Sequence, residues 1–469
     1  AHQISAIAIG GQQHGMVALD RDGAIIRNAL LWNDTRSDSA AEALNSEISD
    51  IHQRTGSKLV ASFTASKVRW LADHERENAE RVAAIALPHD WLSWQLTGTS
   101  DISSLFTDRS DASGTGYFDA TSNQYCRDIF ARALRSERDV VLPKIISPDQ
   151  FGSETKSGIP IAAGAGDNAA AALGLGANLG DLVISLGTSG TAFAVSSHQS
   201  HDETGEVAGF ADATGNFLPL ACTLNAAKIF ATVAETLSLS FDEFSNLALQ
   251  AKPGADGLRL LPHFDGERTP NRPAARGTFH GISHSNFTRE NIARAAIEGV
   301  IAGMVYATKA LERCGVQYSR VLLIGGAAKN PAVQSIAASI FGSEITVPPS
   351  GEYVAGTPVT VHPATFGKSE PGIEAMPHLW PGGGYLGSAS TWPHTQGGMS
   401  EFLIMKKSSV RLLPKTLPLK SAALAEPLGF KTLYQFKKFI QQCNPCAKIY
   451  YSAGYVRASQ VLKWIEREY

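Results

Sequence analysis

Three times along this chain a short apolar run ends directly on glycine: at residues 4–9 before Gly10-Gly11, at 182–186 before Gly187, and at 321–324 before Gly325-Gly326. Runs of that length, bounded by turn residues, are expected to be strands. Helical patterns lie between them. The longest covers 290–314, where Thr288 can cap, Phe287 can staple onto Ile292, and Gly315 can end the helix. Gly299 and Gly303, one turn apart on it, suggest that another element packs closely there. Residues 16–20 and 24–32 flank Arg21-Asp22-Gly23, and Asp-Gly is a favoured hairpin turn. Strands alternating with helices make this an α/β chain.

Composition removes several function classes. With 43% hydrophobic and 18% charged residues among 469, the chain can bury a core and global disorder is excluded. At roughly 150 residues per domain the length suggests about two to three domains. The 41 basic and 44 acidic residues leave a net charge of −3, which speaks against nucleic-acid binding through overall basicity. No apolar run reaches the ~18–20 residues that a membrane span needs. The start, Ala1-His2-Gln3-Ile4, lacks the pattern of a secretory signal. Five cysteines, sparse and odd in number, fit a reducing cytoplasm better than a disulfide framework. Cys443-Asn444-Pro445-Cys446 has no second pair near it and is read as chance.

The average charge conceals a break. Residues 401–469 carry 12 Lys and Arg against 4 Glu, a net of +8, which leaves −11 on the other 400 residues. Between the two, 15 of the 45 residues from 356 to 400 are Gly or Pro. One third is above the ~25–30% at which low complexity becomes the default reading. An ordered body to about 355 is expected, followed by a poorly ordered stretch and a basic tail that packs weakly. Residues 433–442 could form at most an isolated, marginal helix.

Several segments could carry chemistry. Gly164-Ala165-Gly166-Asp167-Asn168 joins a strand at 159–163 to an Ala-rich helix. On this segment alone Asp167 reads as a helix N-cap; the functional reading is a carboxylate at the carboxyl end of a strand, able to accept a proton from a substrate hydroxyl. Ser185-Leu186-Gly187-Thr188-Ser189-Gly190 offers backbone N–H groups and two hydroxyls in one turn, suited equally to polyphosphate oxygens or to an ordinary hairpin. It is not a Gly-x-x-x-x-Gly-Lys-Ser/Thr loop. Gly367-Lys368-Ser369 has His362 where that motif needs its first glycine. Gly325-Gly326-Ala327-Ala328-Lys329-Asn330-Pro331 follows a strand and leads into a helix capped by Asn330. Close helix–strand packing is its simplest reading; a nucleotide lying against backbone is the alternative. Gly11-Gln12-Gln13-His14-Gly15 and Leu31-Trp32-Asn33-Asp34-Thr35-Arg36 cluster hydrogen-bonding side chains at strand ends, which suits a polyol.

In this order, and together with Gly266-Glu267-Arg268-Thr269-Pro270, these segments resemble the FGGY family of carbohydrate kinases over about three quarters of the chain, from Ile4 to about Ala355. The resemblance implies two ribonuclease-H-like (actin-like ATPase) domains with an interdomain cleft, 1–177 on the sugar side and 178–355 on the ATP side, and an irregular tail at 356–469. Within the family, the stretches at 11–15 and 32–36 resemble members that phosphorylate D-xylulose with ATP, in xylose catabolism; Gln13 replaces a Met of their pattern. Asp167 falls on the family's catalytic base. Gln13, His14 and Asn168 fall on sugar contacts, joined by Trp32, Asn33 and Asp34. Gly187, Thr188, Ser189 and Gly190 fall on a phosphate loop, and Gly325, Gly326 and Asn330 on the adenosine side. ATP and Mg2+ are the implied cofactors, with Mg2+ held mostly by water and carboxylates and no dedicated metal ligand. The implied partners are a small sugar and ATP, neither nucleic acid nor membrane, with a homodimer left open.

Two departures stand out. The family opens with a strand and an Asp-x-Gly-Thr phosphate loop that this sequence does not contain, and after Gly351-Glu352-Tyr353-Val354-Ala355 prolines at 358 and 363 prevent the helix the family continues with. The chain is therefore expected not to be an intact enzyme sequence and to have little activity alone. Alternative readings are a kinase for ribulose, gluconate, glycerol or another polyol, and a non-catalytic nucleotide-binding actin-like fragment. The Asp at 167 argues against the latter.

Overall fold

Alternation along two parallel strands divides the core. Asp181–Leu186 and Arg320–Ile324 pair in register from Asp181 with Arg320 to Ser185 with Ile324. Leu182, Ile184, Val321 and Leu323 face one hydrophobic cluster, while Val183, Leu322 and Ile324 face another. Successive side chains of a strand point to opposite faces, so a run of apolar residues is buried on both. The first cluster is closed by the helix Arg289–Arg313, whose Ala293, Ala296, Ile297, Val300, Ile301, Met304, Ala307 and Leu311 face the sheet. The second includes Phe63, Val68, Ala169 and Ala170 from the first half of the chain, so the two halves share a core. Burying each large aliphatic side chain there contributes about 1.5–3 kcal/mol.

The computed structural model describes residues 6–348, 359–360, 402–404, 448–451 and 454–457. Its main sheet has six strands in the order Val207–Ala211, Phe217–Thr223, Gly190–Ala194, Asp181–Leu186, Arg320–Ile324, Ile345–Thr346; the first three joints are antiparallel and the last two parallel. In the first half, Ala8–Gly11 pairs in parallel with Ala165–Gly166, setting Gly10 opposite Ala165 and Gly11 opposite Gly166. Of the Gly/Pro-rich stretch only Val359–Thr360 is described, a short strand antiparallel to Phe402–Ile404; the expectations for the rest of that stretch, the 433–442 helix, Gly351 to Ala355, Gly367-Lys368-Ser369 and the Cys443–Cys446 pair fall on residues outside those described. Of the tail, Phe402–Ile404 lies antiparallel to Ala8–Gly11, a contact that the expectation of a loosely packed tail did not include.

Several local readings shift. Among the described residues the first strand spans Ala8–Gly11, running through Gly10 and Gly11 rather than ending before them. The hairpin at Asp22-Gly23 forms, with Gly23 at φ 75° and the Asp20 carboxylate accepting the N–H groups of Asp22 and Ala24. Its returning arm is joined only by isolated bridges, Leu19 with Ile25 and Met16 with Leu30, because Val17–Leu19 makes its strand pairing with Ala84–Ala86. Thr288 caps the long helix by accepting from the Asn291 N–H, and Gly315 follows its end at φ 85°. Phe287, expected as a staple onto Ile292, is half exposed with its ring edge-on to Phe279. A side chain at Gly299 would collide with the Leu260 carbonyl, as close packing requires, but Gly303 has open space around it.

Candidate active site

Two pairs of parallel strands end side by side, and the expected site residues leave from those ends. Gly11 lies opposite Gly166, so Gln13 and His14 emerge beside Asp167. Ser185 lies opposite Ile324, so Gly187 emerges beside Gly325 and Gly326. Carboxyl ends of parallel strands, where successive connections diverge, are where open α/β sheets bind ligands.

Asp167 is not a helix N-cap. Gly166 occupies that position without a side-chain bond, and Asp167 is the first residue of the helix Asp167–Leu175. Its Oδ1 accepts from the Asn168 N–H at 2.9 Å and from Asn168 Nδ2 at 3.1 Å. Among the described residues Oδ2 has no hydrogen-bond donor. The residue is exposed to solvent, while neighbouring protein still desolvates its carboxyl. Desolvation there pushes its carboxyl up to about 6, against the lesser opposing effect of the Asn168 N–H bond. Such a group is ionised at neutral pH and still a usable proton acceptor.

Gln13 is buried, and its Nε2 donates to the Ser110 carbonyl at 2.7 Å. His14 holds φ 71°, a left-handed conformation uncommon for a residue with a Cβ. Its ring is fixed between Phe63 and Phe210, with centroids 4.7 and 5.4 Å away. Nδ1 lies 2.6 Å from the Gly114 carbonyl, which can only accept, so Nδ1 carries the proton. Burial first, then the charges of Arg268 and Lys67, hold the imidazole down at about 3, against the Gly114 bond. The ring is therefore neutral, and Nε2 is left as an acceptor suited to a hydroxyl proton.

Sequence reasoning missed the segment that holds this wall together. Asp108 to Thr115 is wholly buried and mostly polar, without the hydrophobic period that marks an element. It supplies the carbonyls that grip Gln13 and His14, and through Ser113 Oγ it accepts from the Ala211 N–H of the main sheet at 3.0 Å. The available signal was the density of hydroxyls and carboxylates in Thr107-Asp108-Arg109-Ser110-Asp111, which is high for a surface loop beside apolar strands. Lys67 was missed likewise. It is fully buried on the helix Thr64–His74, where its amine donates to the carbonyls of Ala61 at 2.7 Å and Asp34 at 3.3 Å; burial lowers it to about 7, against the attraction of Asp34.

Thr64 and Lys67 connect the two polar clusters. Thr64 Oγ1 donates to the His14 carbonyl at 3.0 Å, and Lys67 secures Asp34. Asn33 Oδ1 is buried without a partner among the described residues, an acceptor open to a donor. Trp32 is half-buried. The Asp34 carboxylate is engaged by Arg36, through its N–H at 3.1 Å and its Nε at 2.8 Å, which leaves it less free for a sugar than expected.

The glycine turns separate by role. Gly187, Thr188 and Ser189 form the tight connection between Asp181–Leu186 and Gly190–Ala194, so the segment is a hairpin, and among the described residues neither the Thr188 nor the Ser189 hydroxyl is engaged. A Cβ at Gly190 would press on Thr223 Oγ1 and Met304 Sδ, and one at Gly325, which has φ 91°, would come within 2.5 Å of the Leu186 carbonyl. Those two glycines are required by packing. Gly326 has nothing within 4 Å of where a Cβ would stand. Asn330 is the N-cap of Pro331–Phe341: its Oδ1 accepts from the N–H groups of Ala332 and Val333 and from Ser245 Oγ. Only its Nδ2 remains for a ligand.

Glu267 ties the Gly266-Glu267-Arg268-Thr269-Pro270 loop beside this hairpin by accepting from the Leu224 N–H and Asn225 Nδ2. The half-buried Arg268 guanidinium has no hydrogen-bond partner among the described residues, and its charge is felt at both His14 and Cys222. The charge of Asp167 is felt at Cys222 as well, so Asp167 and Arg268 lie within electrostatic reach of the same thiol.

His89, Asp90 and Asp111 place one ligand atom each within 4.8 Å of one another. A metal does not fit them as they stand. His89 Nδ1 is 2.9 Å from Asp90 Oδ1 and Nε2 is 3.0 Å from the Ala163 carbonyl, so both ring nitrogens are engaged and no lone pair is offered. Asp90 Oδ2 accepts from the Leu87 N–H.

Comparison with known proteins agrees with this layout. The chain matches the model of the FGGY family of carbohydrate kinases, N-terminal domain, over residues 1–174 and the C-terminal domain over 182–356. It is 42% identical over 367 residues to a protein named xylulose kinase from Streptomyces coelicolor, covering 76% of this chain and 73% of that one. Against a xylulose kinase from Haemophilus influenzae it is 32% identical over 358 residues, covering 73% and 71%. The crystal structure of xylulose kinase from Bifidobacterium adolescentis superposes with a TM-score of 0.70 at 44% identity, covering 75% of this chain and 78% of that one.

Proposed function

Because the chain belongs to the FGGY family of carbohydrate kinases and shares its two-domain actin-like fold, we propose that it catalyses transfer of the γ-phosphoryl group of ATP to the 5-hydroxyl of D-xylulose, giving D-xylulose 5-phosphate and ADP. The observation that carries the reading is the pairing of strand ends: hydroxyl-recognising groups beside Asp167 on one, an open glycine turn beside a hairpin with free hydroxyls on the other. On this reading residues 1–177 form the sugar side and 178–355 the ATP side. Xylulose is favoured because the Streptomyces and Haemophilus relatives bear that name. ATP as donor favours a cytoplasmic reaction.

Asp167 Oδ2 accepts the proton of the sugar hydroxyl as its oxygen bonds to phosphorus and the bond from phosphorus to the β-γ bridging oxygen breaks, releasing ADP. His14 Nε2, Gln13 Oε1 and the unpartnered Asn33 Oδ1 accept from the other hydroxyls, orienting the sugar; Asn168 steadies Asp167. Arg268 faces the transferred group with positive charge. Gly187 to Gly190 receive the phosphates and Gly326 the flat adenosine. Mg2+, a hard cation suited to oxygen ligands, supplies charge neutralisation on the ATP phosphates when bound, and the open Asp167 carboxylate fits as a neighbour to it.

The test is a coupled ADP-release assay over D-xylulose, ribulose, gluconate and glycerol, on this chain and on one carrying the family's opening loop at its N-terminus. Preference for D-xylulose supports the proposal. Preference for another polyol changes the substrate, and ATP binding without turnover in either chain refutes catalysis.

A further inference from the structure

The turn that carries Asp167 is gripped from beneath at two points. The His89 Nε2–H donates to the Ala163 carbonyl at 3.0 Å. The Gly166 N–H donates to Ser110 Oγ at 3.0 Å. Between them Gly164, at φ 73°, lies so close to His89 that a side chain there would collide with the ring and with the Ile9 carbonyl. Both grips are themselves held. His89 Nδ1 is 2.9 Å from Asp90, whose other oxygen is fixed by the Leu87 N–H at 2.8 Å. Ser110 Oγ donates to Asp108 Oδ2 at 2.5 Å, and the Ser110 N–H donates to the same oxygen at 2.7 Å. All four side chains are buried.

We propose that His89 and Ser110 are positioning residues, which fix the 163–166 turn and so hold the Asp167 carboxylate in place against the sugar hydroxyl. Ser110 does this for two substrate-facing groups at once, because its carbonyl also accepts from Gln13 Nε2. Sugar contact and base are thereby referenced to one residue, so a shift of either relative to the other requires breaking a buried hydrogen bond.

The charges around the grip fit that role. His89 donates from both nitrogens and is an imidazolium; burial works against the charge, but Asp90 and Asp108 outweigh it and raise its proton affinity. Asp111 is buried beside it, and among the described residues neither of its carboxyl oxygens accepts a hydrogen bond. Burial and the negative charges of Asp90, Asp108 and Asp167 push its carboxyl well up. The His89 imidazolium thus offsets one of the carboxyl groups gathered beneath Asp167, with Asp90 Oδ1 at 2.9 Å and Asp111 Oδ2 at 3.4 Å from its Nδ1.

The inference rests on Asp167 being the base, and its test separates the two. Ser110→Ala removes one grip while leaving the main-chain bond to Gln13; His89→Gln weakens the other. Ser113→Ala is the control: its buried hydroxyl donates to the Ser110 carbonyl at 2.6 Å, not to the 163–166 turn, so its loss removes a hydrogen bond of the same segment while both grips stay in place. In carbon-13 aspartate spectra of the full chain, with Asp167 assigned by loss of its signal in Asp167→Asn, Ser110→Ala and His89→Gln should each shift the Asp167 midpoint by about one unit or more, Ser110→Ala downward, as loosening admits water. Ser113→Ala should leave it unchanged whatever it does to melting temperature. In the kinase assay the two positioning variants should lose turnover on the order of tenfold or more with sugar KM within about threefold, as expected for a misplaced group. Unchanged midpoints in both folded variants, or an equal shift in Ser113→Ala, would overturn the inference. Absence of turnover in the wild-type chain would count against the proposed function alone, since the titration stands without it.

Discussion

Replacing Asp167 with Asn probes the proposed base with little change of shape. The amide oxygen can still accept the Asn168 N–H that Oδ1 accepts at 2.9 Å, and Asp167 caps nothing, so the helix Asp167–Leu175 keeps its start. What is lost is the proton acceptor, worth on the order of 10²–10⁴ in turnover, or about 2.7–5.5 kcal/mol of barrier. Folding should not suffer. A carboxyl raised in the folded state disfavours folding once pH exceeds its folded value, and that contribution vanishes below the unfolded value. At pH 7.5 the Asn variant should therefore melt no lower than the wild type. ATP binding, measured by calorimetry, should be preserved. The wild-type rate should fall about tenfold per pH unit below about 6, where Asp167 takes up its proton, and the residual rate of the variant should show no such limb. Turnover of the variant within a few-fold of wild type, with the acid limb intact, would refute the assignment.

The other site residues give separable outcomes. His14→Ala should raise the KM for D-xylulose about tenfold or more while ATP affinity holds, because it removes an acceptor from the sugar wall alone; equal sugar KM with weaker ATP binding contradicts this. Since burial keeps His14 neutral to about 3, sugar affinity should show no inflection from it between about pH 5 and 8. Gly326→Val fills open space and should abolish nucleotide binding without altering sugar binding or melting temperature, whereas Gly325→Ala meets the Leu186 backbone at positive φ and should lower melting temperature; the reverse pattern would exchange their roles. Lys67 should make stability rise with pH between about 7 and about 10, because its folded value is depressed while the unfolded chain still binds the proton. Lys67→Met should flatten that rise in urea titrations, and an unchanged slope would show that the amine stays charged.

Local rules make several elements legible in the residues themselves. Thr288 and Asn330 announce helix starts because capping needs only residues two or three apart. The apolar runs at 182–186 and 321–324 announce strands buried on both faces because alternation fails only where both faces are covered. Ordered motifs, rather than any single residue, point to the kinase family. The separation of Gly190 and Gly325 from Gly326 is not legible, since what a missing side chain would meet depends on Thr223, Met304 and Leu186 arriving from other elements. Nor is Asp167's release from capping, which follows from Gly166 pairing with Gly11 and so taking the cap position itself. Least visible is the platform of His89, Asp108 and Ser110. Its bonds join residues 56 to 97 positions apart in the chain, across Ser110–Gly166, His89–Ala163 and Gln13–Ser110, and no periodicity records such a pairing. Burial then makes those few bonds decisive, because a polar group that water cannot reach must find its partner in the folded protein or go without.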